Sequence, residues 1–366
     1  MSIPWGYLIG LAVLALPAVP VPRLPERLGT VWYFICLAVN ELPLVMIAFF
    51  TADTALALAQ GDLANPVALA AAVLAGACVA LTAWRGFRTP HALRKSLGAA
   101  YTPRRTPLAR LLGPFAIRPR TVERTADLAY GPAGKRNLLD LYRHRSHPTG
   151  APVLVHFHGG HYEMGRKNTQ SRPLLHRLAA DGWVCVSANY RLRPDAGYED
   201  HVTDVKRVIA WIREHGREWG ADPDRIVLSG SSAGAHMSAL AALTPNDPRF
   251  QPGFEDVDTT VAAVVGLNGY WGRYFGNEPG SAPLDRARAD APPFLVVHGD
   301  HDTLVHVADV RRFAADLRAV TGRVAYAELP GAHHGFDLFH SPRFEAVVDA
   351  VEEFATAAVS ATARPA

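Results

Sequence analysis

The sequence predicts an α/β protein with a mainly parallel sheet, preceded by N-terminal transmembrane helices. Three observations carry that expectation. Uncharged apolar stretches fill the beginning of the chain, a run of basic residues follows, and from Thr121 onward short β-branched runs alternate with amphipathic helical segments. The chain has 366 residues, room for two units at the usual domain size of roughly 100–250 residues. Its hydrophobic content of 49% is too high for a disordered chain, and its Gly and Pro follow no collagen-like period. Cys36, Cys78 and Cys185 supply neither a disulfide framework nor a zinc finger.

Residues 1–84 read as membrane-embedded. Pro4–Val21 and Pro66–Trp84 carry no charge, and a spanning helix needs about 20 predominantly apolar residues. The middle stretch, Val31–Ala59, contains Asn40, Glu41, Pro43 and Asp53. An ionised Glu41 is costly at mid-membrane, so it must face other helices, lie near an interface or mark a break. Three spans are expected, with two as the alternative. A cleaved signal peptide is disfavoured because no Lys or Arg precedes Arg23.

Residues 85–121 form a basic juxtamembrane segment with nine basic residues between Arg85 and Arg120 and no acid, whereas both flanking regions are net negative. The net charge of +3 therefore has one local source. Its position directly after an apolar stretch points to anionic lipid headgroups rather than nucleic acid, for which the chain offers no base-reading motif. Three spans would put Arg23, Arg27 and this cluster on one side, giving an outside N-terminus and a cytoplasmic C-terminal domain. Two spans break that agreement at the first loop but keep the cluster cytoplasmic. The lone Cys185 of the C-terminal part is compatible with a reducing compartment.

Residues 122–366 carry the α/β pattern. Strands are expected at Val153–Phe157, Trp183–Ala188, Arg225–Leu228, Val261–Leu267, Phe294–Val297 and Val324–Leu329. Helices are expected at Ser171–Ala180, Asp204–Glu218, Ala235–Leu243, Val307–Val320 and Phe344–Ala357. Alternation of this kind implies parallel strands covered by helices on both faces.

Four strand ends hold the chemistry. Gly230-Ser231-Ser232-Ala233-Gly234 lies between a strand and a helix, the setting of a nucleophile elbow, with Ser232 projecting above the sheet edge. His158-Gly159-Gly160-His161 ends an earlier strand, where backbone amides can join that of Ala233 around an oxyanion. Asp302 follows the strand Phe294–Val297 by a short loop, with Asp300 as competitor, and His334 follows Val324–Leu329. The order Ser232, Asp302, His334 is that of an α/β-hydrolase triad of nucleophile, orienting acid and base. No metal-ligand cluster is evident, and the chemistry needs no cofactor.

Those pieces, together with Ser187-Ala188-Asn189-Tyr190-Arg191-Leu192 and His334-Gly335-Phe336, resemble the hormone-sensitive-lipase-like α/β-hydrolase carboxylesterases. With an apolar N-terminus, the chain is similar to the membrane-associated Lip-type esterases of mycobacteria and other actinobacteria. The resemblance implies Ser232 as nucleophile, Asp302 as orienting acid and His334 as general base. It assigns the oxyanion amides to Gly160, His161 and Ala233, supported by His158, Gly159, Gly230 and Gly234. Two departures stand out: His161 replaces the usual third glycine, and Ser231 stands where many relatives carry an acid, a change expected to matter little. Relatives cap the site partly with residues before the first strand, which here makes the juxtamembrane segment the expected cap and lipid-like esters the expected substrates. An amidase or arylformamidase with the same triad is a second reading. A non-catalytic receptor or scaffold is a third, disfavoured because all the triad residues are present.

Overall fold

The computed structural model describes residues 3–21, 23–98, 101–115 and 117–362. An eight-stranded sheet runs in the order β1-β2-β4-β3-β5-β6-β7-β8. Strands β1 (Val122–Ala129) and β2 (Leu138–His144) pair antiparallel, and β2 runs antiparallel to β4 (Val184–Ala188). The remaining ladders join β3 (Ala151–Phe157), β4, β5 (Ala221–Ser231), β6 (Ala263–Leu267), β7 (Phe294–Gly299) and β8 (Val324–Leu329) in parallel.

All six expected strands are present. The sequence reading missed β1 and β2, whose composition hides them. β1 alternates exposed charged residues with half-buried ones, as an edge strand does, and β2 carries Asp140 and Arg143. Asp140 is buried in β2 because Lys167 reaches it at 2.6 Å and Arg124 closes over it from β1. A run containing buried charge lacks the apolar signature on which strand recognition depends.

Helices cover both faces of the sheet. On one side α8 (Tyr198–His215), α9 (Ala233–Leu243) and α10 (Val307–Thr321) bury Val205, Ile209, Leu240 and Phe313 against the inner strands. On the other, α7 (Arg172–Ala180) and α11 (Pro342–Thr362) bury Leu174, Leu178, Phe344, Val347 and Val351. Helix α8 begins six residues before the expected Asp204, with Asp200 accepting from the Gly197 amide at 2.9 Å to close its first turn.

Before the sheet come α1 (Trp5–Ala15), α2 (Glu26–Glu41), α3 (Pro43–Ala59), α4 (Pro66–Phe87), α5 (Thr89–Leu97) and α6 (Leu108–Leu112). The expected three spans are not found in that form. α1 is too short to cross a bilayer. α2 and α3 reach the necessary length only as a pair, bent by 89° around Leu42. α4 and α5 together, Pro66–Leu97, make the one helix among the described residues long and apolar enough to cross a membrane. Where α1, α3 and α4 meet, the buried residues are small: Ala57, Ala68, Ala72 and Ala75, closed by Tyr7 and Leu11. Large side chains face outward, including Phe49, Leu58, Val73 and Leu74.

The bend gives Glu41 its place. It ends α2, is 1% exposed, pairs with the equally buried Arg343 of α11, and accepts from Ser341 Oγ at 3.1 Å. Of the alternatives the sequence left open, it marks the break. The basic segment packs on the flank of the α/β body. Leu93 of α5 and Tyr101 are buried there, and the Tyr101 hydroxyl donates to the Ala346 carbonyl at 3.3 Å. Arg104 pairs with Asp181 and Glu352, and Arg110 with Glu345, so part of the basic charge is answered within the molecule.

Removing one member of a buried ion pair leaves an unanswered charge in low dielectric, at a cost of about 3–5 kcal/mol. Glu41→Ala should therefore lower the thermal unfolding midpoint of the detergent-solubilised chain by several degrees. A midpoint unchanged in thermal denaturation would show that the pair does not join the helical part to the body.

Candidate active site

The parallel strands end on one side of the sheet, and their loops converge there. β5 leads into Ser232, whose backbone sits at φ 53° and ψ −115°, a conformation costly for a residue with a Cβ. Four backbone hydrogen bonds hold it: the Ser232 amide donates to the Leu267 carbonyl at 3.0 Å, and its own carbonyl accepts from the amides of Ala235 at 3.1 Å, His236 at 3.3 Å and Tyr270 at 3.3 Å. The turn closes because position 230 is glycine. A Cβ there would lie 2.2 Å from the Gly234 carbonyl carbon. That contact is the physical content of the G-x-S-x-G spacing.

The expected acid and base meet. His334 Nδ1 lies 2.7 Å from Asp302 Oδ2, and both side chains are buried. The other carboxylate oxygen, Oδ1, accepts from the amides of Leu304 at 2.9 Å and Val305 at 2.8 Å, which fixes the acid independently of the imidazole. His298, which sequence reasoning did not single out, presents Nε2 to Asp302 Oδ2 at 3.3 Å and to the Val305 carbonyl at 2.9 Å. Burial opposes the Asp302 charge, but the His334 and His298 rings and the Val305 amide outweigh it and hold the carboxyl below its usual range. Burial also opposes charge on His334, yet Asp302 and then Asp337 raise it above the ordinary imidazole value. The competitor Asp300 is a turn residue whose carboxylate accepts from the Gly331 amide at 2.6 Å.

Ser232 Oγ forms no hydrogen bond with His334 in this resting geometry; such contacts often tighten only when substrate is bound. The elbow and the His334 loop are instead tied next door, by Ser231 Oγ donating to Asp337. Position 231, expected to matter little, therefore makes a buried contact across the site.

The loop after β3 lies against Ser232, since a Cβ on Gly159 would stand 2.9 Å from that of Ser232. Gly159 gives its amide to Gln170 Oε1 at 2.5 Å, whereas the amides of Gly160, His161 and Ala233 donate to no protein acceptor. Those three remain available to a ligand. His158 supports the loop from below, with Nδ1 2.7 Å from the Gly159 carbonyl and its ring stacked on Tyr190. His161 points outward, its ring edge-on to Phe275 at 4.8 Å, and Arg193 lies over the other ring at 3.8 Å. Its imidazole thus packs on Phe275, and its amide has no protein acceptor. Asn189 of the Ser187–Leu192 stretch accepts from the Lys167 amide at 2.7 Å, bracing the chain that follows the glycine loop.

The ring over His334 comes from α2, which the sequence does not assign to the cover. Tyr33 sets its ring edge-on to His334 with centroids 5.8 Å apart, and Thr303 donates to the Gly29 carbonyl at 3.0 Å. The segment 85–121 lies along α11 and β8, where Leu93 and Tyr101 find apolar partners, and it reaches the loop carrying His334 through Arg85 beside Gly331 and the Pro114 carbonyl, which accepts from the His340 amide at 2.8 Å.

A strained elbow serine, a buried acid–imidazole pair and three amides without protein acceptors on loops at the C-terminal edge of a parallel sheet are the features of an α/β-hydrolase. Comparison with known proteins agrees. The BD-FAE family model matches residues 139–271. Esterase LipC of Mycobacterium tuberculosis is 38% identical over 75% of this chain and 74% of its own length. Esterase LipQ of the same organism is 42% identical over 64% of the chain, and the match spans 62% of that relative, less than two thirds of its length. Among solved structures, the Thermogutta terrifontis esterase Est2 with butyrate bound superposes with a TM-score of 0.57 at 26% identity, covering 65% of this chain and 94% of that one. The chain belongs to the hormone-sensitive-lipase-like α/β-hydrolase carboxylesterase family, together with the mycobacterial Lip esterases.

Because His334 is held above the ordinary value of 6.5, the acid limb of kcat/KM for an aryl ester should lie above pH 6.5. An imidazole must be neutral to take a proton, so turnover that runs through His334 is lost as pH falls through that limb; a limb below 6.5 would contradict the assigned environment. Asp302→Asn, which removes the charge and allows the wrong tautomer, should lower kcat by roughly 10³–10⁴-fold.

Proposed function

We propose that this chain is a membrane-anchored serine carboxylesterase that cleaves lipid-like esters through an acyl-enzyme on Ser232. The observation that carries the reading is the buried 2.7 Å contact between Asp302 and His334 beside a strained elbow serine. With Nδ1 engaged by Asp302, Nε2 is the nitrogen left to take a proton. Ser232 Oγ attacks the ester carbonyl carbon as His334 Nε2 accepts its proton. Negative charge develops on the carbonyl oxygen, where the amides of Gly160, His161 and Ala233 receive it; one such donor is worth about 10²–10³ in rate. The C–O bond then breaks, the alcohol leaves with the proton from His334, and water activated by the same ring releases the acid. Relatives support this chemistry: one solved structure is of Thermogutta terrifontis esterase 2 phosphorylated by paraoxon.

The membrane part of the reading rests on the helices before the sheet. Small residues inside and large apolar ones outside is the packing of helices surrounded by lipid, where close backbone approach replaces the hydrophobic effect. Exposed Leu108, Leu112, Phe115 and Ile117 stand among exposed Arg105, Arg118 and Arg120, a composition that fits an interface with anionic headgroups. By the same charge rule the catalytic body lies on the cytoplasmic side. Exposed Leu28, Val31 and Phe34 on α2, beside the cover of His334, favour an acyl chain arriving along an apolar surface.

A fluorophosphonate probe should label the wild-type chain and leave Ser232→Ala unlabelled, with ester turnover lost in parallel; equal labelling of both would remove Ser232 from the chemistry. In alkaline carbonate extraction of membranes from expressing cells, the chain should stay in the pellet. Recovery in the supernatant would defeat the spanning helix at Pro66–Leu97.

A further inference from the structure

Asp337 lies three residues beyond His334 and is fully buried. Its two oxygens gather donors from three other segments. Oδ2 accepts from Ser231 Oγ, beside the nucleophile, and from Ser171 Oγ at 2.6 Å, at the start of α7. Oδ1 accepts from Asn268 Nδ2 at 3.1 Å, just past β6. The main chain adds a fourth tie, the Ser171 amide donating to the Asp337 carbonyl at 3.1 Å. One residue thus binds the loop carrying His334 to the elbow, to the loop after β6 and to α7.

Three donors aimed at two oxygens suit a carboxylate, which accepts at both. A buried carboxylate is ordinarily answered by a cation. Among the described residues none forms an ion pair with Asp337. The groups its field reaches are His334 on its own loop, His156 in β3 and the Tyr33 hydroxyl of α2. Burial holds His156 at about 4, so that ring is uncharged near neutrality. His334 also faces Asp302 from the loop after β7 and His298 from the end of β7 itself, where burial disfavours charge on the His298 ring. His334 is therefore the ring that becomes positive within range of Asp337, and it does so when Ser232 gives up its proton.

We propose, on the reading that Ser232 is acylated, that Asp337 is a positioning residue of the active site. It holds the His334 loop against the elbow, and its charge, acting with that of Asp302, stabilises the imidazolium formed during attack. It needs no direct contact with the imidazole, because Coulomb interactions in a poorly solvated site reach beyond hydrogen-bond distance.

The test uses Asp337→Asn in the full chain, which keeps the side-chain shape and removes the charge. Relative to wild type, kcat should fall by about tenfold with KM within about twofold. The acid limb of kcat/KM should move down by about half to one pH unit. A merely structural role would lower stability or kcat without moving the limb, so an unmoved limb overturns the proposal whatever happens to kcat. Should Asp337→Asn fail to fold, Ser171→Ala combined with Ser231→Ala removes two ties and leaves the carboxylate. There kcat should fall at least about fivefold with the limb in place, and kcat within twofold of wild type overturns the positioning role. Fluorophosphonate labelling of wild type separates the two layers. A labelled wild type beside an unaltered Asp337→Asn profile defeats Asp337 alone, whereas an unlabelled wild type defeats the serine reading and this inference with it.

Discussion

The active centre depends on one short contact away from water, that between the Asp302 carboxylate and His334 Nδ1. It selects the tautomer, orients the ring and prepares a place for positive charge, and low local dielectric strengthens each of these effects. The contact survives burial because the acid is anchored twice more, by the Leu304 and Val305 amides. A carboxylate without those amides would be expensive to keep ionised there. The same loop that binds Asp302 is closed beneath by His298, so the geometry belongs to a rigid turn rather than to a flexible side chain.

Much of this was legible in the sequence, for a topological reason. In a parallel sheet each loop after a strand reaches the same edge, so residues far apart in sequence share a location known in advance. Ser232, Asp302 and His334 each follow a recognisable apolar run, and the glycines around Ser232 announce a turn whose tightness the Gly230–Gly234 contact explains. β1 and β2 were not legible, because their charged residues pair across strands and mask any apolar run. Nor was Asp337, although it directly follows His334-Gly335-Phe336: its importance lies in partners from α7, β5 and β6 that no local pattern connects.

The first part of the chain shows where composition stops being informative. The apolar stretches do form helices, but their lengths in sequence do not predict where they break. The Leu42 bend turns α2 away from α3 and lays it on the catalytic body. Glu41 is conspicuous among apolar neighbours, and the partner that answers it, Arg343, lies 302 residues away. Likewise, the basic run was conspicuous as a block, yet its members divide between exposed positions and ion pairs with α7 and α11.

The seam between helices and sheet has a consequence for anyone who would trim this molecule. Residue 121 resembles a natural place to cut, since a new fold begins at Val122. Cutting there strips α11 of the carboxylate that neutralises Arg343, empties the slot filled by Tyr101 and leaves His334 without its aromatic roof. A shortened protein would retain the triad residues while presenting them to solvent on a scarred surface, so its substrate profile would describe the fragment rather than the parent.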